Sequence, residues 1–319
     1  MMTERDETIQ PSSSTRRSRI STFTKVVIVL VLVSAIAFFG MVASVAGLIG
    51  QVSESDKEKP HLVMLNLEGP IFDSEPYLTL LSEISRDENC RGVLLRVESP
   101  GGAVASSQEI FGALKRLKSK GIPLVVSFGN IAASGGYYAG LAGEMIFANP
   151  GTLTGSIGVI FQFPEIEKLL EKTGVSLQTV KSGALKDVGS PARKPTADEI
   201  LYLQNVIDDT YAQFLEDVAK SRGIHLDSLR PYADGRIFTG RQALRAGLVD
   251  TLGGLDDARD YLIAKTGMDP KVPWILEPKP KSRLEKFMDP EARSGLAGLT
   301  DLIASAKQRV SPGAFFMWP

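Results

Sequence analysis

The chain has 319 residues, 43% hydrophobic and 23% charged, with 36 basic against 37 acidic side chains. That balance gives no electrostatic reason to expect a nucleic acid partner, and the length allows one large or two small domains with a real core. One cysteine, Cys90, excludes a disulfide framework and Cys-based structural zinc, and two histidines, His61 and His225, leave little for a His-dependent hydrolase or a His-ligated metal.

Residues 1–25, rich in Ser, Thr and Arg, read as a short disordered cytoplasmic tail. Residues 26–50 contain no ionisable side chain. As a helix this stretch would extend roughly 37 Å, enough to cross a hydrocarbon core of about 30 Å. Arg16, Arg17, Arg19 and Lys25 precede it, whereas the charges that follow, from Glu54 to Lys59, are mixed. The positive-inside rule then keeps the N-terminus cytoplasmic and places the rest outside. A cleaved signal peptide ending near Ser44-Val45-Ala46 and a twin-arginine signal at Arg16-Arg17 compete with a single uncleaved anchor. The apolar run is too long for the first, and the residues after the arginines fit the second poorly.

After a linker over 51–60, apolar runs at Leu62–Leu67, Gly92–Val97, Pro123–Phe128 and Met145–Ala148 read as buried strands. Helix-like stretches lie between them, around Tyr77–Arg86 and through Val104, Ile110, Phe111, Leu114 and Leu117. Thr154–Phe161, a helix over Pro164–Lys172 and a strand over Ser176–Lys181 follow. Thr196 and Glu199 then form a capping box ahead of a long helix with Ile200, Leu203, Ile207, Tyr211, Phe214 and Val218 on its apolar face. Gly240–Ala243 reads as a short helix that feeds a further strand. Strands alternating with helices predict an α/β fold with a largely parallel sheet. Residues 268–319 hold seven of the 18 prolines and read as a partly disordered tail with one helix near 295–309. Its apolar end, Ala314–Trp318, is either disordered or docked on a surface.

Three glycine-punctuated segments follow strands. Ser99-Pro100-Gly101-Gly102 can turn backbone N–H groups toward a phosphate, a thioester carbonyl or an oxyanion, but it is also an ordinary turn. Ala133-Ser134-Gly135-Gly136 can expose a seryl hydroxyl beside a free N–H, in the manner of a nucleophile elbow. It reads equally as a helix N-cap serine with glycines chosen for packing. A nucleophilic serine needs a base, and His61 and His225 both sit where surface residues are expected. Lysine can substitute if its environment brings its pKa from about 10.4 toward neutrality. Lys181 and Lys186 flank such a loop, Lys181-Ser182-Gly183 to Asp187. Asp208-Asp209 and Asp256-Asp257 read as solvated helix positions without metal-ligand spacing.

Taken together, Ser99-Pro100-Gly101-Gly102, Ala133-Ser134-Gly135-Gly136-Tyr137-Tyr138, Thr154-Gly155-Ser156-Ile157-Gly158-Val159 and Lys181-Ser182-Gly183 with Lys186-Asp187 resemble the signal peptide peptidase A family. Gly235-Arg236-Ile237-Phe238-Thr239-Gly240 through Gly247-Leu248-Val249-Asp250 is similar to its C-terminal signature. The likeness covers roughly residues 61–267 and is to the short, single-domain bacterial form, since no internal repeat is visible. It implies a ClpP/crotonase-like spiral of ββα units behind one transmembrane helix, in the bacterial cytoplasmic membrane, with the catalytic domain outside. It also implies a serine endopeptidase without cofactor or metal. Ser134 would be the nucleophile, Lys186 the general base, and Gly101 and Gly135 the oxyanion-hole donors; Lys181 is not the matching lysine. Implied partners are remnant signal peptides and other hydrophobic peptides, the lipid bilayer, and a homo-oligomeric ring in which neighbouring subunits share the dyad. The alternatives are another membrane-linked ClpP-type protease, a crotonase-fold acyl-CoA enzyme, or a non-catalytic ring scaffold.

Overall fold

A computed structural model describes residues 58–277 and the strand 314–317. The expected tail at 1–25, the membrane span at 26–50, most of the linker and the helix near 295–309 lie outside the described residues. Among the described residues, no helix is long and apolar enough to cross a membrane.

The apolar runs become a parallel sheet because they are buried on both faces. β1 (His61–Glu68), β2 (Cys90–Ser99), β4 (Leu124–Ala133) and β5 (Met145–Ala148) lie side by side, joined by crossover helices. Along β1, Val63, Leu65 and Leu67 enter one core, while Leu62 enters another on the opposite face, which is the two-residue period of a strand. The larger core is covered by α1 (Glu75–Ile84), α2 (Val104–Ser119) and the short α3 (Gly135–Gly140). The smaller one lies under α8 (Leu255–Thr266) through Ala258 and Leu262.

The remaining strands are short. β3 (Gly101–Ala103) precedes α2, and β6 (Leu153–Gly155) pairs with β4 and, antiparallel, with β8 (Ile237–Thr239). β7 (Ile160–Phe161) is followed by α4 (Glu167–Thr173), α5 (Ala197–Arg222), α6 (Leu226–Leu229) and α7 (Gly240–Arg245). β9 (Thr251–Leu252) extends the sheet beyond β5. At the other edge β10 (Trp274–Leu276) pairs with β1, so the sheet continues past the expected domain end at 267.

Four expectations need correction. Thr154–Phe161 is not one element: it divides into β6 and β7, because Ser156 at φ 50° turns the chain between them. Ser176–Lys181 forms no strand: among the described residues it pairs with no sheet edge, and both of its apolar side chains, Leu177 and Val180, are exposed. The apolar stripe of α5 packs only toward its C-terminal end, through Phe214, Leu215 and Val218, while Ile200 is 54% exposed. His61 is not a surface residue but fully buried, with Nδ1 2.8 Å from the Lys59 carbonyl and Nε2 3.2 Å from an Asp87 carboxylate oxygen.

The apolar C-terminal end forms β11 (Ala314–Met317), antiparallel to β3 on one side and to β7 on the other. Of the two readings for that segment, docking is the one the structure shows.

Candidate active site

A bulge in β4 decides where the serine goes. Register with β2 jumps from Val97↔Phe128 to Ser99↔Ala132, so β4 carries two more residues than β2 over this step. The Glu98 carboxylate fills the gap, accepting the N–H of Asn130 at 2.8 Å and of Ile131 at 3.2 Å. Beyond the bulge β4 exchanges its neighbour β5 for β6, ending on the pair Ala133↔Gly155.

Ser134 is the next residue, at φ 52° and ψ −118°. A positive φ outside glycine is strained and persists only when the surroundings enforce it. Here the Ser134 N–H donates to the Gly155 carbonyl at 2.8 Å, and the Ser134 carbonyl accepts from Tyr138 N–H at 2.8 Å. Tyr137 and Tyr138 anchor the following turn, donating to the Leu248 carbonyl at 2.9 Å and to the Asp217 carboxylate. The helix-cap alternative fails, because the Ser134 side chain makes no cap hydrogen bond. Its Oγ is buried and, among the described residues, has no hydrogen-bond partner. Such a hydroxyl ordinarily costs about 1–3 kcal/mol, which suits a group reserved for a ligand.

The glycine turns pack directly on it. A Cβ at Gly135 would sit 2.4 Å from Ser107 Oγ and 3.1 Å from the Gly102 nitrogen, so a side chain there would have to displace the Ser107 hydroxyl. Gly101, at φ 100°, donates its N–H to Ser99 Oγ at 3.1 Å. The Gly101 carbonyl and the Ala103 N–H bond to Ile71, so Gly102 presents its peptide groups to the opposite edge, where β11 lies in register with Phe316↔Gly102. The structure thus brings Ser134, Gly135 and the 101–102 turn together and shows a strand-width slot beside them.

Lys186 is elsewhere. It is exposed, in a turn where its N–H donates to the Gly183 carbonyl at 3.1 Å. Within one chain it is not hydrogen-bonded to Ser134. Lys181 is committed to Asp187 at 2.5 Å. Asp187 also binds Arg193, and these two cations, Arg193 first, hold its carboxyl well below the usual carboxylate range. His225 caps α6 through Nδ1 on a solvent-exposed turn and takes no part. Among the described residues no cluster of His, Cys, Asp or Glu could hold a metal ion.

Residues 116–268, which include Ser134 and Lys186, match Peptidase family S49. Over 194 residues the chain is 48% identical to a putative protease of Synechocystis sp., an alignment covering 60% of this chain and 70% of that protein. The chain belongs to peptidase family S49. This is the family the sequence motifs resemble, and it makes the chain a serine protease by class. The chain is also 44% identical over 191 residues to a putative signal peptide peptidase SppA of Enterococcus faecium, covering 60% of this chain and 56% of that protein. It is 34% identical over 208 residues to protease 4 of Haemophilus influenzae, covering 62% of this chain but only 33% of that longer protein.

Beside Ser134 lies the segment Thr154-Gly155-Ser156-Ile157-Gly158-Val159, which in sequence reads either as a turn lining the site or as a tight strand connection. Ser156 follows Gly155 just as Ser134 follows Ala133, and it is the other non-glycine residue at positive φ among the described residues. Of those two readings, the structure shows the turn beside Ser134, whose N–H donates to the Gly155 carbonyl.

Proposed function

We propose that the chain is a membrane-anchored endopeptidase that cuts extended apolar peptides, remnant signal peptides among them, through Ser134 and a lysine supplied by a neighbouring subunit. The observation that carries this reading is the strained, buried, unpartnered Ser134 hydroxyl lying beside a slot that a strand of the chain itself occupies.

A substrate strand pairs with β3 and β7 as β11 does, main chain to main chain. Ser134 Oγ attacks the scissile carbonyl carbon as neutral Lys186 Nζ takes its proton. The oxyanion is held by Gly135 N–H and by the 101–102 turn, with Gly102 N–H better placed than Gly101 N–H, which already serves Ser99. The C–N bond then breaks, and the ammonium returns the proton to the leaving amine. Water attacks the acyl-enzyme with its proton passing to the lysine, which releases the acid and regenerates the serine.

Supply of the lysine from a second copy is supported by two features of the single chain. Among the described residues the Lys186 side chain has no hydrogen-bond or ion-pair partner, and apolar side chains on its loop and on the following helix are exposed: Leu177, Val180 and Leu185, with Leu201, Tyr202 and Val206 on α5. Such a patch marks an interaction surface, and a ring of copies would bury it. A ClpP/crotonase-like spiral accords with the parallel sheet and its crossover helices. The charge asymmetry around residues 26–50 supports an extracytoplasmic domain on one cytoplasmic-membrane anchor.

The test mixes Ser134→Ala with Lys186→Ala protomers. Each is expected to be inactive alone, and mixed assemblies should regain activity on an apolar peptide. Assemblies proven to be mixed but inactive would overturn the shared site.

A further inference from the structure

The segment 176–195 has no helix or strand of its own, yet it is firmly tied down. Lys181 Nζ donates to the Ala184 carbonyl at 2.7 Å and to Asp187 Oδ1 at 2.5 Å. Arg193 reaches the same carboxylate, Nη2 to Oδ1 at 2.8 Å and Nε to Oδ2 at 3.1 Å. Its guanidinium also grips Glu199 at both oxygens, at 2.5 and 2.8 Å. Glu199 in turn accepts Thr196 N–H at 2.8 Å, closing the capping box of α5. Two cations and two anions thus run in a chain from the loop to the first turn of the long helix. Lys186, beside Asp187 in sequence, is the fifth charge and bonds to none of them.

We infer that Asp187, Arg193 and Lys181 are positioning residues for Lys186: together they fix its loop to α5, and the two cations neutralise the Asp187 carboxylate that follows it in the chain, removing a charge that would favour its ammonium form. This inference rests on the reading of Lys186 as proton acceptor. A bare carboxylate beside an amine favours the ammonium form, which cannot accept a proton. Asp187 therefore needs its cations, and the bidentate geometry of Arg193 supplies charge and orientation together. The other charged groups at this end are Lys194 and Asp198 beside the α5 cap. Glu165, Glu167 and Lys168 lie at the start of α4, to which the loop is joined by Ile166 N–H on the Pro191 carbonyl at 2.8 Å.

The experiment is the pH dependence of kcat/KM for the full-length protein on an apolar fluorogenic peptide, in wild type, Arg193→Gln, Asp187→Asn and Lys186→Met. Arg193→Gln leaves Asp187 short of a cation and is expected to move the acid limb upward by roughly half a unit to one unit. Asp187→Asn leaves a surplus cation and is expected to move it downward by about as much. A merely structural role would lower activity in both without moving the limb, and limbs at the wild-type pH in folded variants would overturn the inference. An active Lys186→Met would overturn the lysine reading itself, whereas an inactive one with unmoved limbs would sink only the clamp. Should Arg193→Gln fail to fold, the near-isosteric Asp187→Asn decides alone.

Discussion

Ser134 and Ser156 stand side by side, each one residue beyond the paired ends of β4 and β6 and each at positive φ, 52° and 50°. The Ser134 N–H on the Gly155 carbonyl ties the two turns together. Two strained serines at the ends of adjacent parallel strands, with buried Ser99, Ser107 and Thr154 close by, form a polar corner against the core. Ser134→Ala is expected to lower peptide cleavage by about a thousandfold or more while assembly size stays the same. Ser156→Ala, which removes a neighbouring hydroxyl, should lower kcat on the order of tenfold, the worth of one hydrogen bond. Steady-state kinetics beside size-exclusion chromatography check both.

An amine base works only when deprotonated. Activity should therefore fall as pH is lowered and hold on the alkaline side. A kcat/KM profile that stays level from about pH 5 to pH 9 would argue against any lysine acceptor.

Gly102→Ala is expected to be more damaging than Gly135→Ala. At Gly102 the new Cβ would lie 1.9 Å from the Ile71 carbonyl oxygen, a backbone atom, whereas at Gly135 the nearest atom is the rotatable Ser107 hydroxyl. Overpacking of this kind costs about 1–3 kcal/mol, so the melting temperature should drop further for Gly102→Ala, with loss of labelling by a serine-reactive probe in both.

Removing β11 empties the slot. A chain ending at residue 313 should show a lower KM for peptides with kcat little changed, because an intramolecular competitor has gone. An unchanged KM would mean that the strand does not compete with substrate.

Glu199 carries a stability effect whose sign is fixed. Arg193, and then the Thr196 N–H, lower its carboxyl from 4.5 to about 2 in the folded chain. The stabilisation is fully present above the unfolded value and disappears as pH falls from about 4.5 toward 2. Thermal melts across that window should fall more steeply for wild type than for Glu199→Gln.

The sheet was legible because its strands are apolar on both faces, and burial of that kind leaves a continuous signature in sequence. Ser134 was legible as a small-residue turn after a strand, but its backbone strain depends on Gly155 and Tyr138 and on the bulge that Glu98 fills, none of which local patterning records. His61 is buried because it opens β1 against β2, paired with Cys90, and its ring meets Asp87, contacts 29 and 26 positions away that local patterning does not record. Ser176–Lys181 is a different case. Its two apolar residues, Leu177 and Val180, are three positions apart and share no strand face, and among the described residues it pairs with no strand. Gly101 illustrates the limit within a motif: which of two adjacent glycines keeps its N–H available follows from where Ser99 Oγ turns.

The gap between β3 and β7 is the breadth of one extended backbone, since β11 pairs with both at once. A helix is about 10–12 Å across, roughly twice the spacing of strands, and cannot enter it. A helical segment entering this gap must first surrender its own internal hydrogen bonds, so on the proposed reading unwinding precedes bond cleavage for a remnant that begins as a membrane helix.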